Sequence, residues 1–427
     1  MKILVVGGGG REHAVIRKLK QNPNVTDIFC APGNGGISRD AACVPIKATD
    51  IEAMLGFALS EKIDFAVITP DDPLVLGMAD EFRKHGIPCF GPSKDAARIE
   101  GSKVFSKNLM KKYGIPTADY QTFSSEDEAV DYISKGSFPI VIKADGLALG
   151  KGVIIAENLE DAKAAVHSIM SDKIFGASGN NIVVEEFLTG PEISALTFCD
   201  GKCVKPMVSS MDHKRVFDDN RGPNTGGMGV VAPNPFFTEA VANECMEKIF
   251  LPTIKAMQEE GCPFQGCLYF GLMLTPNGPK VIEYNCRFGD PETQAILPLL
   301  ETDLLDIMLA TTNGTLNDID IKWKDGACAC VVAASGGYPG KYPTGLAISG
   351  LNSDGQIDGA DVFHAGTKFD GEQFLTAGGR VLSVCCVAKD VPAAQRAAYE
   401  KLSQVSFENM HFRRDIGAVA IAAINNK

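Results

Sequence analysis

Apolar residues in the first hundred positions come in short runs separated by amphipathic stretches, the spacing expected of strands and helices taking turns. Lys2 to Gly7, Asp27 to Cys30, Phe65 to Thr69 and Pro88 to Phe90 read as strands; Glu12 to Lys20, Ile51 to Glu61 and Leu74 to His85 read as helices. Such alternation predicts a parallel sheet with helices on both faces. Gly91-Pro92-Ser93 interrupts it, and Ser102 has the chemistry of an N-cap for the amphipathic stretch that follows. From there to about Ile307, helices mix with β-rich pieces at Pro139 to Lys143, Lys151 to Ile155, Ile182 to Phe187 and Lys280 to Asn285. Beyond Trp323 the chain turns β-rich, at Cys328 to Ala334 and Arg380 to Val387, with a helix at Pro392 to Val405. The fold class expected is α/β and α+β multidomain, with units at 1–101, 102–325 and 326–427.

Composition narrows the class. The 427 residues are 45% apolar, which suits about three globular domains with real cores. No apolar run reaches the roughly 18 residues of a membrane span, and Met1-Lys2 leads straight into Ile3-Leu4-Val5-Val6 without an export-signal pattern. A cytoplasmic protein with no membrane partner is expected. The 13 cysteines are scattered and odd in number, which favours reduced thiols. Cys328-Ala329-Cys330 and Cys385-Cys386 lack zinc-site spacing and read as core thiols. A net charge of −12 disfavours a nucleic-acid surface but leaves room for small anions at local basic islands, Lys143 to Lys151 and His213 to Arg215.

Three stretches carry candidate chemistry. Gly7-Gly8-Gly9-Gly10-Arg11-Glu12 follows a strand and opens a helix, a geometry that aims backbone N–H groups at an anion. The dinucleotide fingerprint fails there: Glu12 or His13 stands where a third glycine belongs, and no acidic residue ends the second strand. Tight strand-to-helix packing is the alternative reading of these glycines. Gly146-Leu147-Ala148-Leu149-Gly150-Lys151-Gly152 is not a Walker motif, because three residues separate Gly146 from Gly150 and a strand follows. It is a glycine-rich turn between β segments, with Lys143 and Lys151 placed to close over a polyphosphate. Lys143 ends a buried-looking strand, where an unpaired charge would be costly. In Val281-Ile282-Glu283-Tyr284-Asn285-Cys286-Arg287, period two puts Glu283, Asn285 and, if the strand persists, Arg287 on one face. The two oxygens suit Mg²⁺, and the guanidinium suits a carboxylate or acyl phosphate.

Together with His213-Lys214-Arg215, Gly222-Pro223-Asn224-Thr225-Gly226-Gly227-Met228-Gly229, Phe288-Gly289-Asp290-Pro291-Glu292, Gly336 to Gly340 and Gly378-Gly379-Arg380-Val381, these stretches resemble the phosphoribosylamine–glycine ligase family of the ATP-grasp superfamily, along essentially the whole chain. The resemblance implies a central ATP-grasp domain with a lid over about 123–188. It implies ligation of glycine to 5-phosphoribosylamine with ATP, as a step of purine synthesis. Lys103, Lys143, Gly146, Gly150, Lys151 and Gly152 would then meet the ATP phosphates. Glu185, Glu186, Phe187 and Leu188 would form the adenine hinge, and Glu192 would take the ribose hydroxyls. Glu283 and Asn285 would be ligands for Mg²⁺, with Mn²⁺ as an alternative ion. Gly9, Gly10, Arg11, Asp212, His213, Lys214, Arg215, Asn224, Arg287 and Asp290 would meet substrate, with Arg287, Lys143 and His213 as catalytic candidates. A monomer touching other purine-pathway enzymes only transiently is the partner expectation. Two departures are visible: Gly261 to Ile282 holds no Asp or Glu, where many ATP-grasp enzymes carry a second metal-binding acid, and Pro70-Asp71-Asp72-Pro73-Leu74 replaces an expected Pro-Glu-x-Pro-Leu. Rival readings are another ATP-grasp ligase or carboxylase, a nicotinamide dehydrogenase, which explains only the first hundred residues, and a non-catalytic nucleotide-binding regulator.

Overall fold

The computed structural model describes residues 1–147 and 152–426. Its first unit is a five-stranded sheet in the order Ala42–Cys43, Asp27–Pro32, Lys2–Gly7, Phe65–Ile68, Cys89–Phe90. Every pairing is parallel, as the alternation requires. The central strand is buried from Ile3 to Val6, and helices cover both faces. The single helix expected over 74–85 is two, Asp71–Leu76 and Met78–Lys84, because Gly77 adopts φ +97° and ends the first in a left-handed cap.

Two four-stranded antiparallel sheets follow. One, ordered Tyr120–Phe123, Ile182–Glu186, Ile140–Ala144, Val153–Ala156, has its own small core around Ile142, Val166, Ile169 and Val184. A separate core lets such a unit move as a body. The other runs Val204–Pro206, Glu192–Asp200, Gln265–Thr275, Gly278–Asn285, and its apolar face is continuous with the core of the first unit through Phe270 and Tyr284. Ser102 does cap the Lys103–Tyr113 helix, its hydroxyl accepting from Phe105 N–H.

The last sheet is antiparallel, ordered Met211–Asp212, Gly229–Ala232, Ala327–Ala334, Arg380–Ala388, Asp361–His364. Its first two strands come from the middle of the chain, so the segment carrying His213 and Lys214 is built into the C-terminal unit. Cys328, Cys330 and Cys385 are buried there among apolar neighbours. Among the described residues, no helix is long and apolar enough to cross a membrane.

Candidate active site

A cavity of about 810 Å³ opens where these units meet. One half is built on the Ile140–Ala144 strand. The burial of that strand carries Lys143 inside, and Lys143 Nζ lies 3.1 Å from Glu185 Oε1 and donates to Ile282 O at 3.0 Å. Lys107 reaches the other oxygen of the same carboxylate at 2.9 Å, and all three side chains are at most 4% exposed. Two ammonium groups thus share one carboxylate, and the excess charge is positive. Burial pulls Lys107 down to about 8 despite Glu185. Lys103, one helical turn earlier, donates to Gly146 O at 2.7 Å and pins the start of the glycine-rich turn. Glu186 accepts from Lys280 at 2.6 Å, and half-exposed Phe187 and Leu188 add an apolar wall. Gly152 lines the cavity, whereas Gly150 and Lys151 lie outside the described residues.

The other half has the opposite charge ratio. Lys214 Nζ stands 3.5 Å from Glu192 Oε2 and 3.7 Å from Glu283 Oε1, one ammonium between two carboxylates. Glu192 raises Lys214 well above its ordinary value against the cost of burial, with Glu283 adding to the rise. Burial would raise Glu283, but Lys214, Lys143 and Lys103 hold it below the usual carboxylate value. Gly271 faces Glu283 across the sheet, and a Cβ there would lie 3.1 Å from Glu283 Cγ, so the absent side chain leaves the carboxylate room. Asn285 donates to Glu100 Oε1 at 2.8 Å, which turns its amide oxygen away from that acid. Among the described residues, no group of three or more His, Cys, Asp or Glu could hold a metal unaided. A carboxylate oxygen and an amide oxygen beside a phosphate-sized space fit Mg²⁺, which completes its shell with phosphate and water.

The strand ends at Asn285, so Arg287 reaches the cavity from the following turn and not from the strand face. It lies 3.3 Å from Glu100, a buried acid that also accepts Cys286 N–H at 2.7 Å. Burial raises Glu100 even against Arg287. Arg287 Nε has no hydrogen-bond partner among the described residues, which leaves a donor for substrate.

Both ring nitrogens of His213 are spent on the backbone: Nδ1–H donates to Gly229 O at 3.2 Å, and Nε2 accepts Gly417 N–H at 3.1 Å. Burial lowers it to about 4, so it is neutral near pH 7 and acts as a strut for its loop. Burial and the neighbouring Glu292 raise Asp212 well above the usual range. Arg215 and Asn224 pair across a hairpin at the rim.

In the glycine loop at the start of the chain, two backbone N–H groups meet carboxylates. Gly9 N–H donates to Glu12, Arg11 Nε meets Glu12 at 2.6 Å, and Arg11 N–H points at Asp290 at 3.4 Å. Gly9 and Gly10 lie off the cavity wall, while Arg11 lines it. A Cβ on Gly8 would sit 2.5 Å from Gly33 O, so close packing explains that glycine. Asp290 is held by Arg380 at 3.3 Å and Gln294 at 2.7 Å; burial would raise it, but Arg380 and Arg11 keep it low.

Sequence reasoning assigned no role to Lys107, Glu100, Tyr269, Glu292 or Arg380, all of which line this cavity. Lys107 had a local signal, four residues beyond Lys103 on one helix. The partners of Glu100 and Arg380 are remote in sequence, and nothing local marks them.

A cavity roofed by a separate antiparallel unit, with lysines on one side and an acid–amide pair on the other, defines an ATP-grasp enzyme. Family models for phosphoribosylglycinamide synthetase match its N domain at residues 1–100, its ATP-grasp domain at 101–293 and its C domain at 328–419. A phosphoribosylamine–glycine ligase of Caldanaerobacter subterraneus subsp. tengcongensis is 48% identical over 98% of this chain and all of its own. That of Escherichia coli K12 is also 48% identical, with both chains fully covered. The crystal structure of the Thermotoga maritima ligase superposes with a TM-score of 0.86 at 33% identity, over 97% of this chain and 100% of that one. Biotin carboxylase from Campylobacter jejuni shares the fold alone, with a TM-score of 0.76 at 16% identity over 100% and 96% of the two chains. The chain belongs to the phosphoribosylglycinamide synthetase family.

Proposed function

We propose that this chain is an ATP-dependent ligase joining glycine to 5-phosphoribosylamine, giving glycinamide ribonucleotide, ADP and phosphate in purine biosynthesis. The observation that carries the reading is the pairing, in one cavity, of a lysine-rich half suited to polyphosphate with a carboxylate-rich half suited to cations.

A glycine carboxylate oxygen attacks the γ-phosphorus, and the bond to ADP breaks. Lys143 and Lys103 hold the phosphates in line, and Arg287 neutralises the carboxylate and then the glycyl phosphate. Mg²⁺ held by Glu283 and Asn285 would supply further charge neutralisation, and Mn²⁺, with similar ligand preferences, would substitute. The nitrogen of phosphoribosylamine then attacks the acyl carbon, phosphate leaves, and the nitrogen loses a proton. Glycyl phosphate hydrolyses in water, so the unit over 123–188 must close during this step. Glycine's ammonium belongs near Asp212, whose repulsion from Glu292 a cation would relieve. Arg11 is the contact for the ribose 5-phosphate.

The test is ADP release with ATP, Mg²⁺ and glycine, with and without phosphoribosylamine formed in situ from ribose 5-phosphate and ammonia. Release that needs both co-substrates is expected. ATP binding without such release would send the search to other carboxylates and amines.

A further inference from the structure

Toward the C-terminal end of the Gly10–Leu19 helix, whose start carries Arg11 into the catalytic cavity, lies a second cavity of about 310 Å³. Three parts of the chain wall it: Ala14 to Gln21 with Asp40, Leu297 and Pro298 with Lys324, and Asp361 with Phe363. Four cations face it, Arg17, Lys18, Lys20 and Lys324, against two carboxylates. Both carboxylates are already engaged. Asp361 meets Arg17 at 3.2 Å, and Asp40 meets Lys20 at 2.9 Å while also accepting from buried His13 at 3.1 Å. Among the described residues, Lys18 and Lys324 have only neutral hydrogen-bond partners, donating to Leu300 O and Pro298 O respectively. A chain of net charge −12 thus gathers two ammonium groups without an ion-pair partner among the described residues in one concave place, where Lys324 repels Lys18 and the carboxylates Asp303, Asp361 and Glu301 act on Lys18 only from beyond contact. Like charges so held repel, and an anion between them relieves the repulsion.

We propose that this cavity is a second anion site, taking a compact phosphate-bearing ligand between Lys18 and Lys324, with Arg17 and Lys20 at the rim. Ala14, Leu297 and Phe363 supply an apolar wall for any organic group attached to the phosphate. The site is independent of the ligase reading, since none of its residues lines the catalytic cavity.

Trp323, the chain's one tryptophan, adjoins Lys324 and is a local reporter. With the nucleotide site saturated by Mg·ADP, the whole chain is titrated with inorganic phosphate and with phenyl phosphate while Trp323 fluorescence is followed. A saturable change is expected, with half-saturation raised about tenfold in Lys18→Gln/Lys324→Gln, equivalent to the loss of about 1.4 kcal/mol. The affinity for Mg·ADP and turnover without added anion should not change. Tighter binding of phenyl phosphate identifies an organic phosphomonoester as the ligand, and equal binding identifies free phosphate. No saturable response, or the same response in the double variant, overturns the site. If the double variant does not fold, Lys324→Gln alone, on an exposed residue, must weaken binding or the proposal fails.

Discussion

The two halves of the catalytic cavity are built from the same residue types in inverse ratio. Around Glu185 two lysines share one carboxylate; around Lys214 two carboxylates share one lysine. Each cluster is close to satisfied without ligand, yet each carries one charge too many of its own sign. On the proposed function, that residual charge sets what each half accepts: polyphosphate on the lysine side, metal and ammonium on the carboxylate side. Complete neutralisation within each cluster would have made a more comfortable core and a poorer site.

Removing the surplus on either side tests this. Lys143→Ala should cost the most, lowering kcat/KM for ATP by about 10²–10³-fold, because on the proposed function it deletes a donor to the transferring phosphate. A loss confined to glycine KM would break the assignment. Glu283→Gln, on the opposite side, should lower kcat by about a hundredfold and raise the Mg²⁺ concentration for half-activity, a result expected if it is a metal ligand. Unchanged Mg²⁺ dependence would remove Glu283 from the metal site.

Acid should separate the halves. His213 braces the loop that carries Lys214, and burial holds it at about 4 from an ordinary 6.5. The unfolded chain therefore takes up a proton that the folded chain refuses. Its contribution is complete above 6.5 and is lost as pH falls toward 4, amounting to roughly 3 kcal/mol. His364, held near 3 by burial first and His13 second, acts with the same sign. Denaturation midpoints measured from pH 7 to pH 4 should fall by more in the wild type than in His213→Asn. The smallest effect belongs to Arg11→Ala, about a tenfold rise in KM for phosphoribosylamine with ATP KM unchanged, since Glu12 already partners that guanidinium. Equal KM values in mutant and wild type would place the ribose phosphate elsewhere.

Much of the site was legible because its chemistry is local. Glu283 and Asn285 share a strand face by period two, and Lys143 ends a strand too apolar to lie at the surface. The turn at Gly77 shows where legibility fails: the apolar periodicity runs through it, and only the left-handed glycine ends the helix. The opening glycine loop shows a contact that spacing does not reveal. Its spacing resembles an anion site, and Glu12 and Asp290 answer two of its N–H groups, Asp290 arriving from nearly three hundred residues away.

The sequence by itself determined the class of fold, the order of elements and the residue types brought to the chemistry, because periodicity and motif spacing act over a few residues. The tertiary structure alone decided the charge balance. Whether Lys214 faces one carboxylate or two, whether His213 has a free nitrogen, and which acid Arg380 meets all depend on chain crossings between distant segments. In a buried site those crossings set the surplus charge, and the surplus charge selects the ligand.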